Sequence, residues 1–427
     1  MSVTAVVGAN WGDEGKGKLC DALAAQSDYV VRFQGGNNAG HTVINTYGKF
    51  SLHLLPSGVF YNHVVNVLGP GVAVNPPALL KELAGLQERG VPAPQLCISD
   101  RAQVIMTYHK LFDAYEEERL AGAAFGSTRM GIAPFYADKA IKAGIQVNEL
   151  FDRDRLRSRI SAAITAKNTL LEQLYRRPAL RLDEVVDEVA AWGEQIEPFV
   201  CDTTNILQKA LAAGKRILLE GQLGALRDPD HGIFPYSTSS SPLAGFASVG
   251  AGVPPQAITR IIAVAKAYST CVGAGPFVTE LHGAEADDLR KRGGSAGEYG
   301  ATTGRPRSVG WFDAVATRYG CRIQAATEVA LSLLDVLGYL DEIPVCTAYE
   351  INETRTNDFP VTRRLPSARP VYERMKGWKR DISGAKRFDD LPEEARAYAR
   401  RVEELIETPV RWISVGPRRE QLICPEA

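Results

Sequence analysis

Gly8-Ala9-Asn10-Trp11-Gly12-Asp13-Glu14-Gly15-Lys16-Gly17-Lys18 stands between an apolar run, residues 3–7, and a segment, residues 19–25, whose apolar side chains recur at helical spacing. The order is strand, glycine loop, helix. Glycines at 12, 15 and 17 let backbone N–H groups approach an anion, and the helix that follows adds its positive end. Lys16 and Lys18 supply charge for phosphates. The spacing is not that of a regular Walker A motif, and a glycine-lysine loop alone can also be an ordinary turn. Asp13 is more informative. A carboxylate inside a phosphate loop repels phosphate unless it binds a metal or acts as a base.

Further buried-strand candidates occur at residues 29–33, 64–68, 217–219, 261–264, 329–334 and 345–349, and residues 148–214 read as mostly helical. Strands alternating with helices indicate an α/β fold: a large, mostly parallel central sheet flanked by helices, with a phosphate loop like that of P-loop NTPases. No repeat, low-complexity tract or Pro/Ser-rich linker divides the chain, so residues 1–427 read as one continuous domain with helical and loop insertions. The polar stretch 282–299 reads as a surface excursion, and the charged stretch 392–407 as an amphipathic helix with a solvated face.

Composition excludes several classes. Basic and acidic residues number 49 and 50, which argues against a nucleic-acid or anionic-membrane partner. No apolar run reaches the roughly 18 residues of a membrane span. The opening segment reads as a first strand, not a signal peptide. Seven scattered cysteines without a CxxC pair point away from disulfide or zinc frameworks and towards a reducing cytoplasm.

Two more segments have the composition of sites. Phe33-Gln34-Gly35-Gly36-Asn37-Asn38-Ala39-Gly40-His41-Thr42 follows a strand and reads as a polar loop at a sheet edge, or simply as a turn. Gly300-Ala301-Thr302-Thr303-Gly304-Arg305-Pro306-Arg307 suits carboxylate or phosphate recognition, or is a solvated basic loop. His53, His63, His109, His231 and His282 lack metal-ligand spacing; His63, His109 and His282 read as structural.

Taken together, these segments resemble the adenylosuccinate synthetase family. Its WGDEGKGK signature is reproduced by residues 11–18 and its NAGHT by residues 38–42. LHLLPSG at 52–58, DHG at 230–232, TSS at 238–240, VGAGPF at 272–277 and GATTGR at 300–305 continue the match in order, as do residues 391–392 and 414–417. His53 and His231 lie in these segments, and the resemblance implies a loop-orienting role for them. The resemblance implies a GTP-dependent C–N ligase of purine (AMP) biosynthesis. Its enzymic aspartate takes the N1 proton of IMP, the 6-oxygen attacks the γ-phosphate of GTP, and L-aspartate then displaces phosphate to give adenylosuccinate.

The same resemblance assigns the residues. Asp13 is the base and, with the Gly40 backbone, a magnesium ligand; His41 stabilises charge on the oxygen being phosphorylated. GTP falls to Gly12, Asp13, Glu14, Gly15, Lys16, Gly17 and Lys18, to Gly40, His41 and Thr42, and to Arg307, Asp335, Ser414 and Gly416. The purine nucleotide falls to Asp13, Lys16, Asn38, Gly40 and His41, and to Thr128, Lys142, Leu223, Thr238 and Arg305. L-Aspartate falls to Thr302, Thr303, Arg305 and Arg307. Lys142 stands where the family has an arginine that crosses a dimer interface, which implies a homodimer. The implied partners are small molecules only.

Binding positions also depart from the family pattern. EGAQG reads Glu220-Gly221-Gln222-Leu223-Gly224, so a leucine replaces the nucleotide-contacting glutamine. TKLD reads Ser332-Leu333-Leu334-Asp335, TTGRGIGP reads Ser127-Thr128-Arg129-Met130-Gly131-Ile132-Ala133-Pro134, and Asn10 and Asn37 replace a glutamine and a histidine. An apolar Leu223 cannot make an amide's hydrogen bonds, worth about 1–3 kcal/mol to a substrate that needs them. Beside the IMP reaction, three readings therefore stand: a paralogue acting on a different 6-oxo purine nucleotide, or with ATP; a GTPase-like switch; and a catalytically dead homologue.

Overall fold

In the computed structural model, which describes residues 2–123, 125–294, 297–300 and 304–424, the chain builds around a 10-stranded sheet. From one edge its strands run Leu422–Ile423, Val410–Ser414, Glu328–Ser332, Ile258–Lys266, Ser2–Gly8, Arg216–Glu220, Tyr29–Arg32, Val65–Leu68, Gln95–Ser99 and Val200–Cys201. Every neighbouring pair is parallel except the first. Ser2–Gly8 sits in the middle, with Val3, Ala5, Val6 and Val7 wholly buried, as a strand covered on both faces requires. Because the sheet is parallel, its carboxyl ends gather on one side. The loops after Gly8, Arg32, Glu220, Lys266, Ser332 and Ser414 all leave from that side, where open α/β sheets bind ligands.

Helices cover the faces, and residues 148–214 are mainly the helices Arg153–Thr169, Leu182–Ile196 and Thr203–Ala212. Helix Glu393–Ile406 buries Ala395, Tyr398, Ala399, Val402 and Ile406 and leaves its charged face to solvent. No helix among the described residues is long and apolar enough to cross a membrane.

Four expectations are corrected. The strand expected at 345–349 runs Glu342–Ile351 but belongs to a separate sheet, antiparallel to Arg369–Lys376. The strand expected at 329–334 stops at Ser332, because Leu333 turns the chain with φ 56°. Loop 33–42 follows an interior strand, so it lies at the carboxyl end of the sheet and not at its edge. Stretch 282–299 is less superficial than its polarity implies: helix Gly283–Arg292 buries Ala286 and Leu289, and Glu298 is 1% exposed.

Candidate active site

The first helix, Lys16–Ala24, starts from Gly15, whose φ of 85° only glycine adopts without strain. Gly12 is equally constrained: φ is 108°, and a Cβ there would stand 2.6 Å from the Leu223 Cα. The loop between them is propped from behind. Glu14 Oε1 accepts from the N–H groups of Asn10 (3.0 Å) and Gly12 (2.8 Å), and Lys16 Nζ donates to its Oε2 at 2.8 Å. Lys16 also donates to the Gly12 carbonyl at 3.0 Å. The loop is thus held open around the helix N-terminus before any ligand binds.

Asp13 projects from this loop into a cavity of about 1090 Å³. Thr270 donates to its Oδ2 at 2.5 Å, Arg307 Nε lies 3.3 Å from the same oxygen and Lys266 Nζ 3.7 Å. None of these contacts uses Oδ1. Burial alone would raise the Asp13 pKa, but Lys266, Arg307, the Thr270 hydrogen bond and Lys16 outweigh it and hold the carboxyl below its ordinary value. A second carboxylate organises the cations: Glu298 accepts from Lys266 Nζ (2.9 Å), Arg307 Nη1 (2.5 Å) and the Tyr268 hydroxyl.

Across the cavity, His41 opens the strand His41–Asn45. Its Nδ1 donates to Glu220 Oε1 at 2.5 Å, while its buried Nε2 has no partner among the described residues. Burial, with the Arg32 cation adding to it and the Glu220 bond opposing it, lowers the His41 pKa to about 4. Burial would raise that of Glu220, but His41, Arg32 and the Ser57 N–H hold it at about 2. At neutral pH the pair is therefore a neutral imidazole on an ionised carboxylate.

The fold brings most of the expected residues to this cavity. Gly12, Asp13, Gly15, Lys16, Gly17 and Lys18 line it from the first loop, and Asn38, Gly40, His41 and Thr42 from the second. Thr128, Leu223, Thr238 and Arg307 join them, as do Asp335, Ser414 and Gly416. Glu14 lies behind the loop, 2% exposed. Lys18 lines the cavity with its hydrogens already engaged: its Nζ donates to Ser414 Oγ, the Gly416 carbonyl and the Gln421 carbonyl, so all three pin the C-terminal segment and what it can offer a phosphate is charge at a distance. Arg305 is exposed, with Nη1 3.3 Å from the Gly126 carbonyl. Thr302 and Thr303 lie outside the described residues. Lys142 lines a separate groove with Lys139, Arg155 and Arg159.

The sequence reading missed Lys266, Thr270, Glu298 and Arg227. Lys266 ends the strand Ile258–Lys266 and Thr270 sits in the short strand Ser269–Cys271, 4% and 2% exposed. The one available signal was a lysine ending an otherwise apolar run, Ile261-Ile262-Ala263-Val264-Ala265, where burial would demand a carboxylate partner.

A family model described as adenylosuccinate synthetase matches residues 5–423. The adenylosuccinate synthetase of Parafrankia sp. (strain EAN1pec) is 47% identical over 424 residues, 99% of each chain. That of Moorella thermoacetica is 45% identical over 428 residues, covering 100% of both. Among solved structures, fully ligated adenylosuccinate synthetase from Plasmodium falciparum superposes with a TM-score of 0.92 at 34% identity, covering all of both chains.

Proposed function

Because the chain belongs to the adenylosuccinate synthetase family, a family of GTP-dependent ligases that join L-aspartate to IMP, we propose that Asp13 is the base and His41 the charge-stabilising group of that reaction here. One observation carries the proposal: Asp13 and His41 line one cavity, where the contacts of Thr270, Lys266 and Arg307 to Asp13 all fall on Oδ2 and the buried His41 Nε2 has no partner among the described residues. Asp13 takes the N1 proton of IMP, and the 6-oxygen attacks the γ-phosphorus as its bond to GDP breaks. The aspartate amine then adds at C6, the C6–O bond breaks and phosphate leaves. The charge of arriving phosphates counters the effect of burial on His41, so the ring gains a proton at Nε2 and donates it as a hydrogen bond to a phosphoryl oxygen.

The first loop, Thr42, Arg307, Asp335, Ser414 and Gly416 are proposed for GTP. Asn38, Thr128, Leu223, Thr238 and Arg305 are proposed for IMP, and Thr302, Thr303, Arg305 and Arg307 for L-aspartate. Asp13 and the Gly40 carbonyl would hold a magnesium ion accompanying the nucleotide: both are hard oxygen donors, the protein contacts to Asp13 fall on Oδ2, and no larger acidic cluster exists among the described residues. When bound, the ion neutralises phosphate charge. Lys142, away from the cavity, supports a homodimer in which it serves the neighbouring chain's nucleotide. We further propose one continuous domain working in the cytoplasm on small molecules only.

Phosphate release from GTP should require IMP and L-aspartate together, with adenylosuccinate identified by mass; release without aspartate would instead indicate a GTPase. Asp335 reads the guanine in this proposal. Its buried Oδ1 has no partner among the described residues, and burial raises its pKa despite a backbone hydrogen bond and the Lys18 charge. Asp335→Ala is expected to raise the GTP KM about 10- to 100-fold, consistent with a lost charge-assisted hydrogen bond, with little change in kcat. An unchanged KM ratio for GTP over ATP would remove Asp335 from the assignment.

A further inference from the structure

Arg227 closes the short turn Ala225–Arg227 that follows Leu223, and its side chain lines the cavity although it is only 8% exposed. Buried arginines are normally matched by carboxylates. Here, among the described residues, no carboxylate lies within ion-pair distance, and the guanidinium is held by neutral acceptors. Nη1 donates to the carbonyls of Tyr236 (2.5 Å) and Ala274 (3.4 Å). Nη2 donates to the carbonyl of Val272 (2.5 Å) and to Cys271 Sγ (2.9 Å). Either bidentate edge of a guanidinium needs an Nη, and both are engaged, so this arginine cannot fork onto a phosphate or carboxylate. What it retains is a flat face, a full positive charge and a fixed plane. Those are the properties that pack against a π system.

We propose that Arg227 is a substrate-contacting, specificity-determining residue that lies flat against the purine base of the nucleotide. The proposal deepens, and rests on, the assignment of this cavity to a purine nucleotide. Position supports it: the Thr238 N–H donates to the Arg227 carbonyl at 2.8 Å, which ties the Arg227 main chain to a residue proposed for the purine nucleotide, and Leu223 lines the same cavity. A leucine in place of a hydrogen-bonding amide suits a base recognised on its face more than on its edge. The four in-plane contacts also fix the plane before the ligand arrives, so little ordering entropy is lost on stacking.

Two variants and one structure test this. Arg227→Met keeps a similar stem and removes the plane; it should raise the Kd of IMP and of the phosphate-free nucleoside inosine alike, each about tenfold, with KM for GTP and L-aspartate unchanged. Arg227→Lys, which keeps charge without the plane, should lose affinity to the same extent. Recovery of IMP binding by lysine, or a loss confined to IMP, would show attraction to the phosphate and overturn the stacking role. A rise in all three substrate KM values together would show a wall rivet and overturn it too. Should both variants fail to fold, a crystal structure of the unaltered enzyme with IMP decides: a guanidinium centre within about 6 Å of the base and parallel to it is expected, and a greater distance refutes the proposal. If the unaltered enzyme binds neither IMP nor inosine, the nucleotide assignment itself fails, which the variants alone could not mimic.

Discussion

Asp13→Asn is expected to lower kcat about a thousandfold, within the range that removing a positioned base produces. The amide keeps the shape and the Thr270 contact but cannot take a proton. The fold should survive, because Lys266 and Arg307 both keep Glu298 as a partner at 2.9 and 2.5 Å, and the thermal midpoint should move by no more than about 2 °C. Phosphate release under saturating IMP, GTP and L-aspartate measures the effect. A kcat within tenfold of the unaltered enzyme would end Asp13's candidacy. The charges around Asp13 also bear on its strength as a base. A carboxylate whose pKa is held low by Lys266 and Arg307 is a weak base. Arg307 is also proposed to hold L-aspartate, and a substrate carboxylate that draws it away removes one of the two leading charges depressing the Asp13 pKa. Basicity would then rise only when the site is filled, which links proton removal to the presence of the amino acid.

The part of this site written in local sequence was legible. Glycines 12, 15 and 17, the Asp13 carboxylate and the strand and helix around them obey constraints that act over a few residues, and the fold realises them as read. Lys18 shows the limit: spacing placed it beside the phosphate loop, but only the packed C-terminal strand, 396 residues away at Ser414, reveals where its ammonium turns. Lys266 and Glu298, 32 positions apart, become a pair only once the loop carrying Glu298 folds over the sheet. Polarity alone made 282–299 look solvated. Arg227 was invisible for the same reason, since its partners are the backbone carbonyls of Tyr236, Val272 and Ala274 and the Cys271 sulfur, all distant in sequence. Leu223 was legible as a departure. Its φ of 59° and its close fit over Gly12 show that the position also shapes the phosphate loop, which no motif comparison conveys.

The largest expected effect on stability falls at Glu220, which is wholly buried and joins four groups: His41 Nδ1 at 2.5 Å, Ser57 N at 2.7 Å, Ser57 Oγ at 2.8 Å and Arg32 Nη1 at 3.4 Å. Glu220→Ala leaves the Arg32 cation buried without its carboxylate and strands three donors, a loss of about 3–5 kcal/mol on urea unfolding. His41 also loses the group that fixes its tautomer, so kcat should fall about a hundredfold in whatever fraction folds. Glu220→Gln separates the two effects: it fills the same space, presents an N–H₂ towards donors and removes the charge. The pH dependence carries the sign of the argument. His41 titrates at about 4 in the folded chain against 6.5 ordinarily, so the unfolded chain takes up the proton first and stability is lost as pH falls from 6.5 through 4, on the order of 3 kcal/mol. Glu220 titrates at about 2 against 4.5, so its contribution is complete above 4.5 and is lost as pH falls from there through 2. In Glu220→Gln the lower window disappears, because the residue no longer titrates. If the glutamine variant unfolds at the same urea concentration as the unaltered protein from pH 7 down to 3, and turns over as fast, then the carboxylate beneath His41 neither holds the fold nor aims the ring.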